Sequence, residues 1–259
     1  QSLAAARASV ERVIAAAGVP AGVAIQPLYG DEPLIAGDTG EYQAWSALKI
    51  PVIAAYLENF PQPDAKAQAH ITQAIEQSSN EDVRALYQQM ITKLGGVQGA
   101  NAALQSTLQE GGAQISGLPD RIDPTINSVA FGESRWTPVD AARFLQLLAR
   151  GCLGLSEENA RLILTHMNNI SNGRWGVLTT YPADRTFAKG GWGSGAEGWT
   201  VSQTAIIGRG RDGLALAMMS RPASYESGQA LMSRIAKALR RGGGTPSRGL
   251  RLPTMDCPR

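Results

Sequence analysis

Ser46 and Lys49 stand three residues apart in Ser46-Ala47-Leu48-Lys49, and an apolar run, Ile50 to Leu57, follows at once. On a helix, residues at that spacing share a face, with about 5–6 Å between Cβ atoms. A serine hydroxyl is a weak nucleophile until a neighbouring base takes its proton. A desolvated lysine can be that base, because burial lowers an ammonium pKa toward neutrality. The unpaired N–H groups of a helix start also favour developing negative charge. The spacing therefore predicts a serine nucleophile and its lysine base at the head of a buried helix. The structural alternative is a helix-capping serine beside a solvated lysine, and the rest of the chain has to decide between the two.

Two further fragments carry polar residues in a matching order. Ser78-Ser79-Asn80 closes a helical stretch over Ala67–Gln77, and Lys189-Gly190-Gly191-Trp192-Gly193 follows the strand-like Thr186-Phe187-Ala188. Ser-x-x-Lys, then Ser-x-Asn, then Lys-[Ser/Thr]-Gly is the ordered signature of penicillin-recognising serine enzymes. On these residues the chain resembles the class A β-lactamase and D-alanyl-D-alanine peptidase superfamily, over roughly residues 8 to 240. It is most similar to β-lactamase-related serine hydrolases of Gram-positive bacteria. Arg121-Ile122-Asp123-Pro124-Thr125-Ile126-Asn127 resembles the Arg-x-Glu-Pro-x-Leu-Asn segment of the class A Ω-loop, and Thr137-Pro138-Val139-Asp140 resembles the helix start after it. Thr137 as N-cap with Pro138 at the first helical position is a good helix-opening pair.

The resemblance implies acyl transfer. Ser46 would attack the carbonyl of a β-lactam, amide or ester, with Lys49 accepting its proton. Ser78 would relay a proton to the leaving group, and Asn80 would orient Lys49 and the substrate amide. Lys189 would supply positive charge for a substrate carboxylate, and the backbone N–H groups of Ser46 and Trp192 would form the oxyanion hole. Asp123 matches the glutamate that activates the deacylating water, with Asn127 as its partner, and Arg121 with Glu133 would staple the loop. Three residues depart from the pattern. Asp123 is one methylene short, Gly190 lacks the hydroxyl of the Lys-[Ser/Thr]-Gly triplet, and Trp192 is a large aromatic where a small residue is usual. Slow deacylation is the expected outcome. No residue matches a carboxylate-binding arginine closely; Arg221 is the candidate. The same chemistry admits a β-lactam-reactive enzyme, a D-alanyl-D-alanine peptidase or an esterase, and the departures admit a non-catalytic cell-envelope binding module.

The elements that must position these residues follow from periodicity. A first amphipathic helix over Ser2–Ala17 ends at Gly18 and Pro20; Val23–Leu28 and Leu34-Ile35 form a strand pair; residues 41–59 hold the nucleophile helix. Helices dominate from about 64 to 170, strands return at Thr186–Ala188, Thr200–Ile207 and Leu214–Ser220, and a last helix runs over Ser227–Leu239 before the glycine-rich 242–244. That order is α+β. The resemblance implies an antiparallel sheet (1–60 and 175–241) flanked by N- and C-terminal helices and an inserted helical domain (61–174), followed by a flexible tail (242–259).

Composition bounds the remaining classes. The chain has 259 residues, 43% of them hydrophobic, and a formal charge of +2. It carries no nucleic-acid footprint and no apolar run long enough to span a bilayer. Two cysteines, Cys152 and Cys257, and two histidines, His70 and His166, form no metal-ligand pattern, so no metal and no cofactor is expected. The cysteines are equally compatible with one disulfide and with two free thiols. The lack of an N-terminal Met and signal peptide reads as the trimmed form of an exported protein, secreted or bound at the cell envelope, monomeric, and acting on a small-molecule or peptidoglycan-derived substrate. A Ser-His-Asp hydrolase lacks its Gly-x-Ser-x-Gly elbow here.

Overall fold

A computed structural model describes residues 3–118, 134–208, 211–243 and 257. Helix α1 (Leu3–Ala17) leads into strands β1 (Ala21–Pro27), β2 (Leu34–Gly37) and the short β3 (Tyr42–Gln43). Helices α2 (Lys49–Asn59), α3 (Ala65–Glu76), α4 (Asn80–Lys93) and α5 (Val97–Glu110) follow, then β4 (Arg135–Trp136), α6 (Pro138–Arg150), α7 (Glu157–Asn168) and α8 (Val177–Thr180). Strands β5 (Thr186–Gly195), β6 (Gly198–Ile207) and β7 (Leu214–Ser220) precede α9 (Tyr225–Arg241).

Five strands form one antiparallel sheet in the order β2-β1-β7-β6-β5, which leaves β5 at an edge. All seven residues of β7 are buried. Successive strand side chains point to opposite faces, so both faces must be covered; α6 and α9 both pack on β7 and do so. α1 lies alongside α9, joining the chain's first and last helices. The second layer is built on α2, of which nine of eleven residues are buried. It is packed by α3, α4, α5 and α7.

Helix boundaries follow capping chemistry. Asp64, Ser79, Thr137, Ser156 and Ser224 each accept a backbone N–H from the first turn of α3, α4, α6, α7 and α9. Such caps stabilise a helix by about 1 kcal/mol. Thr137 and Asp140 complete a capping box with Pro138 at the first helical position, as the sequence predicts, and Gly151 closes α6 in the left-handed conformation.

The sequence expectations differ from the structure in two places that matter. The segment 41–59 is not one helix: β3 comes first, then a 3₁₀ turn at Trp45–Leu48, then α2. Pro51 is compatible with that start, because a third helical residue has no intrahelical partner for its N–H. The strand expected over Thr186–Ala188 continues through the glycines to Gly195, paired residue for residue with β6 from Thr186↔Ile207 to Gly195↔Gly198. Pairing with a full-length neighbour overrides the weak strand preference of glycine. Cys152, just after α6, is bonded to Cys257, which settles the two cysteine alternatives in favour of one disulfide.

Candidate active site

The 3₁₀ turn explains how Ser46 and Lys49 meet. With three residues per turn, positions i and i+3 are eclipsed, and Lys49 Nζ lies 3.0 Å from Ser46 Oγ. Trp45, immediately before the serine, has φ +43°. That left-handed conformation costs a non-glycine residue of order 1–3 kcal/mol, and it persists only where the surroundings enforce it. Gly193 makes room for the Trp45 ring in that position: a Cβ there would sit 2.4 Å from it. Gly191 lies against the backbone of the turn, since its Cβ would lie 2.5 Å from Ala44 O and 2.9 Å from Ala47 N. The two glycines thus let the edge of β5 lie directly against the turn that carries Ser46.

Ser78 is the second non-glycine residue with a left-handed backbone among the described residues, at φ +59°. It sits between Gln77, which closes α3, and Ser79, which caps α4. The reversed backbone turns both its carbonyl and its hydroxyl toward Lys49. Lys49 Nζ donates to Ser78 O, lies 3.3 Å from Ser78 Oγ, and donates to Asn80 Oδ1 at 2.8 Å. From the other side, Lys189 Nζ reaches Ser78 Oγ at 2.8 Å and Gly190 O at 3.1 Å. Ser46, Lys49, Ser78, Asn80 and Lys189 therefore form one connected hydrogen-bonded group, drawn from the 3₁₀ turn, α2, the α3–α4 link and β5.

Both lysines are 1% exposed. Burial pushes the Lys49 ammonium down to about 7, against the opposing field of Asp82. Lys189 is driven well below its ordinary value by burial and by the charge of Lys49 beside it. Two ammonium groups on one hydroxyl repel each other in a low dielectric. Burial and the neighbouring charge both shift the balance toward the neutral amine. That is the state a general base requires.

Asp82 is a residue the sequence reading did not single out. In the first turn of α4 it accepts from Ser79 and bonds His70 Nδ1 at 2.7 Å. Burial raises its carboxyl, but the bonds from Ser79 and His70 outweigh burial and leave it below its ordinary value. The available signal was its place at the third position of α4, next to Asn80. The histidines have other employment: His70 bonds Asp82, and His166 bonds Glu76 at 2.7 Å.

Other expected residues lie elsewhere or beyond view. Lys189 Nζ is turned to Ser78 and the Gly190 carbonyl and is buried, so the position expected to face a substrate carboxylate faces the Ser78 hydroxyl. Arg221 is committed to Glu41 O at 2.6 Å, to Glu197 at 3.8 Å and to the Tyr42 ring at 4.5 Å, which corrects its reading as a carboxylate anchor. Gly190 faces the indoles of Trp192 and Trp175. Asp123, Asn127, Arg121 and Glu133 lie outside the described residues. No described helix is long and apolar enough to cross a membrane.

Among solved structures the chain is similar to a β-lactamase from Chitinophaga pinensis (16% identity, covering 90% of this chain and 97% of that one, TM-score 0.72). A β-lactamase from Xanthomonas campestris is 19% identical over 91% and 96% of the two chains, with a TM-score of 0.71. One from Streptosporangium roseum is 15% identical over 93% and 99%, with a TM-score of 0.70. The fold is that of class A and related β-lactamases. No protein-family profile matches the chain, and no curated protein sequence matches it.

Proposed function

We propose that this chain is a serine hydrolase that forms an acyl-enzyme at Ser46 and reacts with β-lactams. The observation that carries the reading is the 3.0 Å contact between a buried Lys49 amine and Ser46 Oγ, made on a class A β-lactamase fold. Neutral Lys49 takes the Ser46 proton as Oγ attacks the carbonyl carbon. The backbone N–H groups of Ser46 and Trp192 receive the oxyanion, a role supported by the contact of the β5 edge with the Ser46 turn. Each such donor is worth about 3–4 kcal/mol in systems where one has been removed. Ser78 passes a proton from Lys49 to the departing nitrogen or oxygen, and its short bond to Lys189 supports that relay. Asn80 fixes the Lys49 amine.

Release of the acyl group falls to a water activated by Asp123 with Asn127. An aspartate stops one methylene short of a glutamate, and a misplacement of about 1 Å can cost about 10²-fold; deacylation is therefore slow. The Cys152–Cys257 disulfide supports function in an oxidising compartment, as a secreted or envelope-associated protein. Gly190, which removes a hydroxyl from the carboxylate-facing triplet, favours a second reading on the same machinery: an esterase or D-alanyl-D-alanine peptidase.

Incubation with a penicillin and with a cephalosporin, followed by intact mass over time, tests the proposal against Ser46→Ala. A Ser46-dependent adduct that decays slowly supports β-lactam hydrolysis. A persistent adduct supports the peptidase-like reading. No adduct with either drug, together with no labelling by a serine-directed fluorophosphonate, overturns the nucleophile and leaves a non-catalytic binding module.

A further inference from the structure

The paired strands β5 and β6 place Gly190, Trp192 and Ser194 on one face with Gln203, Val201 and Trp199 opposite them. Further along, that face is covered: Val201 lies against Gly228 of α9, and Gln203 against Gly176 at the head of α8. Toward the β5–β6 turn the cover is aromatic. Trp175, itself buried, meets Trp192 edge-on at 6.0 Å; Trp192 meets Tyr225 at 5.2 Å; Tyr225 stacks with Trp199 at 6.2 Å. Trp192, Trp199 and Tyr225 are each only partly buried. The row thus has a dry floor at Trp175 and an open rim at Trp199. Gly173, at φ +82°, leaves room for the Trp192 ring, which lies 3.0 Å from where its Cβ would be.

The row occupies a defined place. A side chain at Gly190 would meet Trp192 at 3.1 Å and Trp175 at 3.2 Å, so indole carbon fills the space where the family's hydroxyl would hold a carboxylate. The cations of the surrounding segments are engaged elsewhere: Lys189 on Ser78, Arg221 on Glu41 O and Glu197, and Arg174 on the Ile170 carbonyl. The nearby Glu197 holds Arg135 in a two-bond ion pair at 2.6 and 3.0 Å, so that guanidinium is engaged as well. The faces of aromatic rings are apolar and carry partial negative charge, which disfavours a carboxylate and favours a neutral flat group.

We infer that Trp192, Trp199 and Tyr225 form a substrate subsite for an uncharged aromatic group, occupying the place where substrates of this fold present a carboxylate. The inference rests on the acyl-transfer reading of Ser46 for its reaction, but not for its binding. A donor lying along the open edge of β5 has its carbonyl at Ser46 and its far end at residue 190, beside the rings.

The test uses phenylacetylglycine phenyl ester and its 3-carboxyphenyl counterpart, which differ by one carboxylate. Binding of each to Ser46→Ala is followed by tryptophan fluorescence, so that no acylation is needed; Ser46 acylation by each is followed separately in the unmodified protein by mass. The expected result is at least about 10-fold tighter binding of the uncharged ester. Trp192→Ala in the Ser46→Ala background removes that preference, and Trp199→Ala, at the exposed rim, reduces it. Tighter binding of the carboxylate ester, equal binding of the two, or a preference that survives both tryptophan substitutions overturns the subsite. Failure of Ser46 to acylate, with the binding preference intact, overturns the reaction and leaves the subsite standing.

Discussion

Lys49 and Lys189 converge on one oxygen: their Nζ atoms lie 3.3 Å and 2.8 Å from Ser78 Oγ. A hydroxyl has one proton and two lone pairs, so it can accept from one amine while donating to the other. On the proposed reading, Lys49 that has taken the Ser46 proton can therefore hand it on to Ser78 without moving, while the Ser78 hydroxyl gives up its own. The geometry requires Ser78 to come from the left-handed turn between α3 and α4 and Lys189 from the edge strand.

Acylation of Ser46 is expected to depend on one ionisation near the value of about 7 to which burial lowers Lys49. The neutral amine is the base, so the rate rises as pH passes from 6 to 8 and then levels. Lys49→Arg keeps the charge but cannot lose its proton, and should reduce acylation by about 10³-fold at every pH. Stopped acylation assays between pH 5.5 and 9, read by mass, check both the inflection and the loss.

Asp82 raises the Lys49 value through its charge. Asp82→Asn removes that field and should move the acylation inflection to lower pH, by less than one unit, while the plateau rate changes little. The Ser79 cap survives, because it accepts the residue-82 backbone N–H. An unmoved or upward inflection would show that the carboxylate does not reach the amine.

The buried lysines also set a pH dependence of stability. Each has a folded value below its unfolded value of about 10.4, so the unfolded chain binds the proton more strongly. Stability contributed by Lys49 then rises from about pH 7 toward pH 10 and is level on either side of that window. Lys49→Met abolishes that component. Urea titrations at pH 7, 8 and 9 should show a smaller rise for the variant than for the unmodified protein.

How much of this was legible in the chain is seen residue by residue. The apolar strand run Leu214–Ser220 and the Thr137-Pro138 start were readable because local pattern and tertiary structure agree there. The helical spacing of Ser46 and Lys49 was read correctly, but not the 3₁₀ geometry, whose Trp45 packs closely on Gly193 from a distant strand. The run from Gly190 to Gly195 gave no strand signal of its own; its partner β6 imposes the strand. Asp82, the joining of Lys189 to Ser78 and the aromatic row all arise from contacts far apart in sequence, which periodicity does not encode.

The Cys152–Cys257 disulfide closes a loop with a sequence separation of 105. Cross-links of this span typically stabilise by about 2–4 kcal/mol, mainly by restricting the unfolded chain. Reduction, or Cys257→Ser, is expected to lower the unfolding midpoint while Ser46 acylation at 25 °C persists, because the bond joins the loop after α6 and no residue of the Ser46–Lys189 group. Thermal unfolding with and without reductant, run beside the mass assay, separates the two effects. A loss of acylation in still-folded protein would contradict this independence.

Gly191 offers the sharpest test of the contact between β5 and the nucleophile turn. Its Cβ would meet two backbone atoms, Ala44 O at 2.5 Å and Ala47 N at 2.9 Å. Backbone cannot rotate aside as a side chain does, so Gly191→Ala must push the strand edge from the turn. Overpacking of this kind costs about 1–3 kcal/mol. It also displaces the Trp192 N–H relative to Ser46, and about 1 Å of displacement costs about 10²-fold. Acylation should therefore fall by that order even at temperatures where circular dichroism reports a folded chain. Gly198→Ala, in the same hairpin, has nothing within 4 Å of its Cβ but carries φ +87°. It should lower stability through backbone strain alone and leave acylation intact. If both variants lose stability and neither loses acylation, the strand edge does not shape the reacting centre.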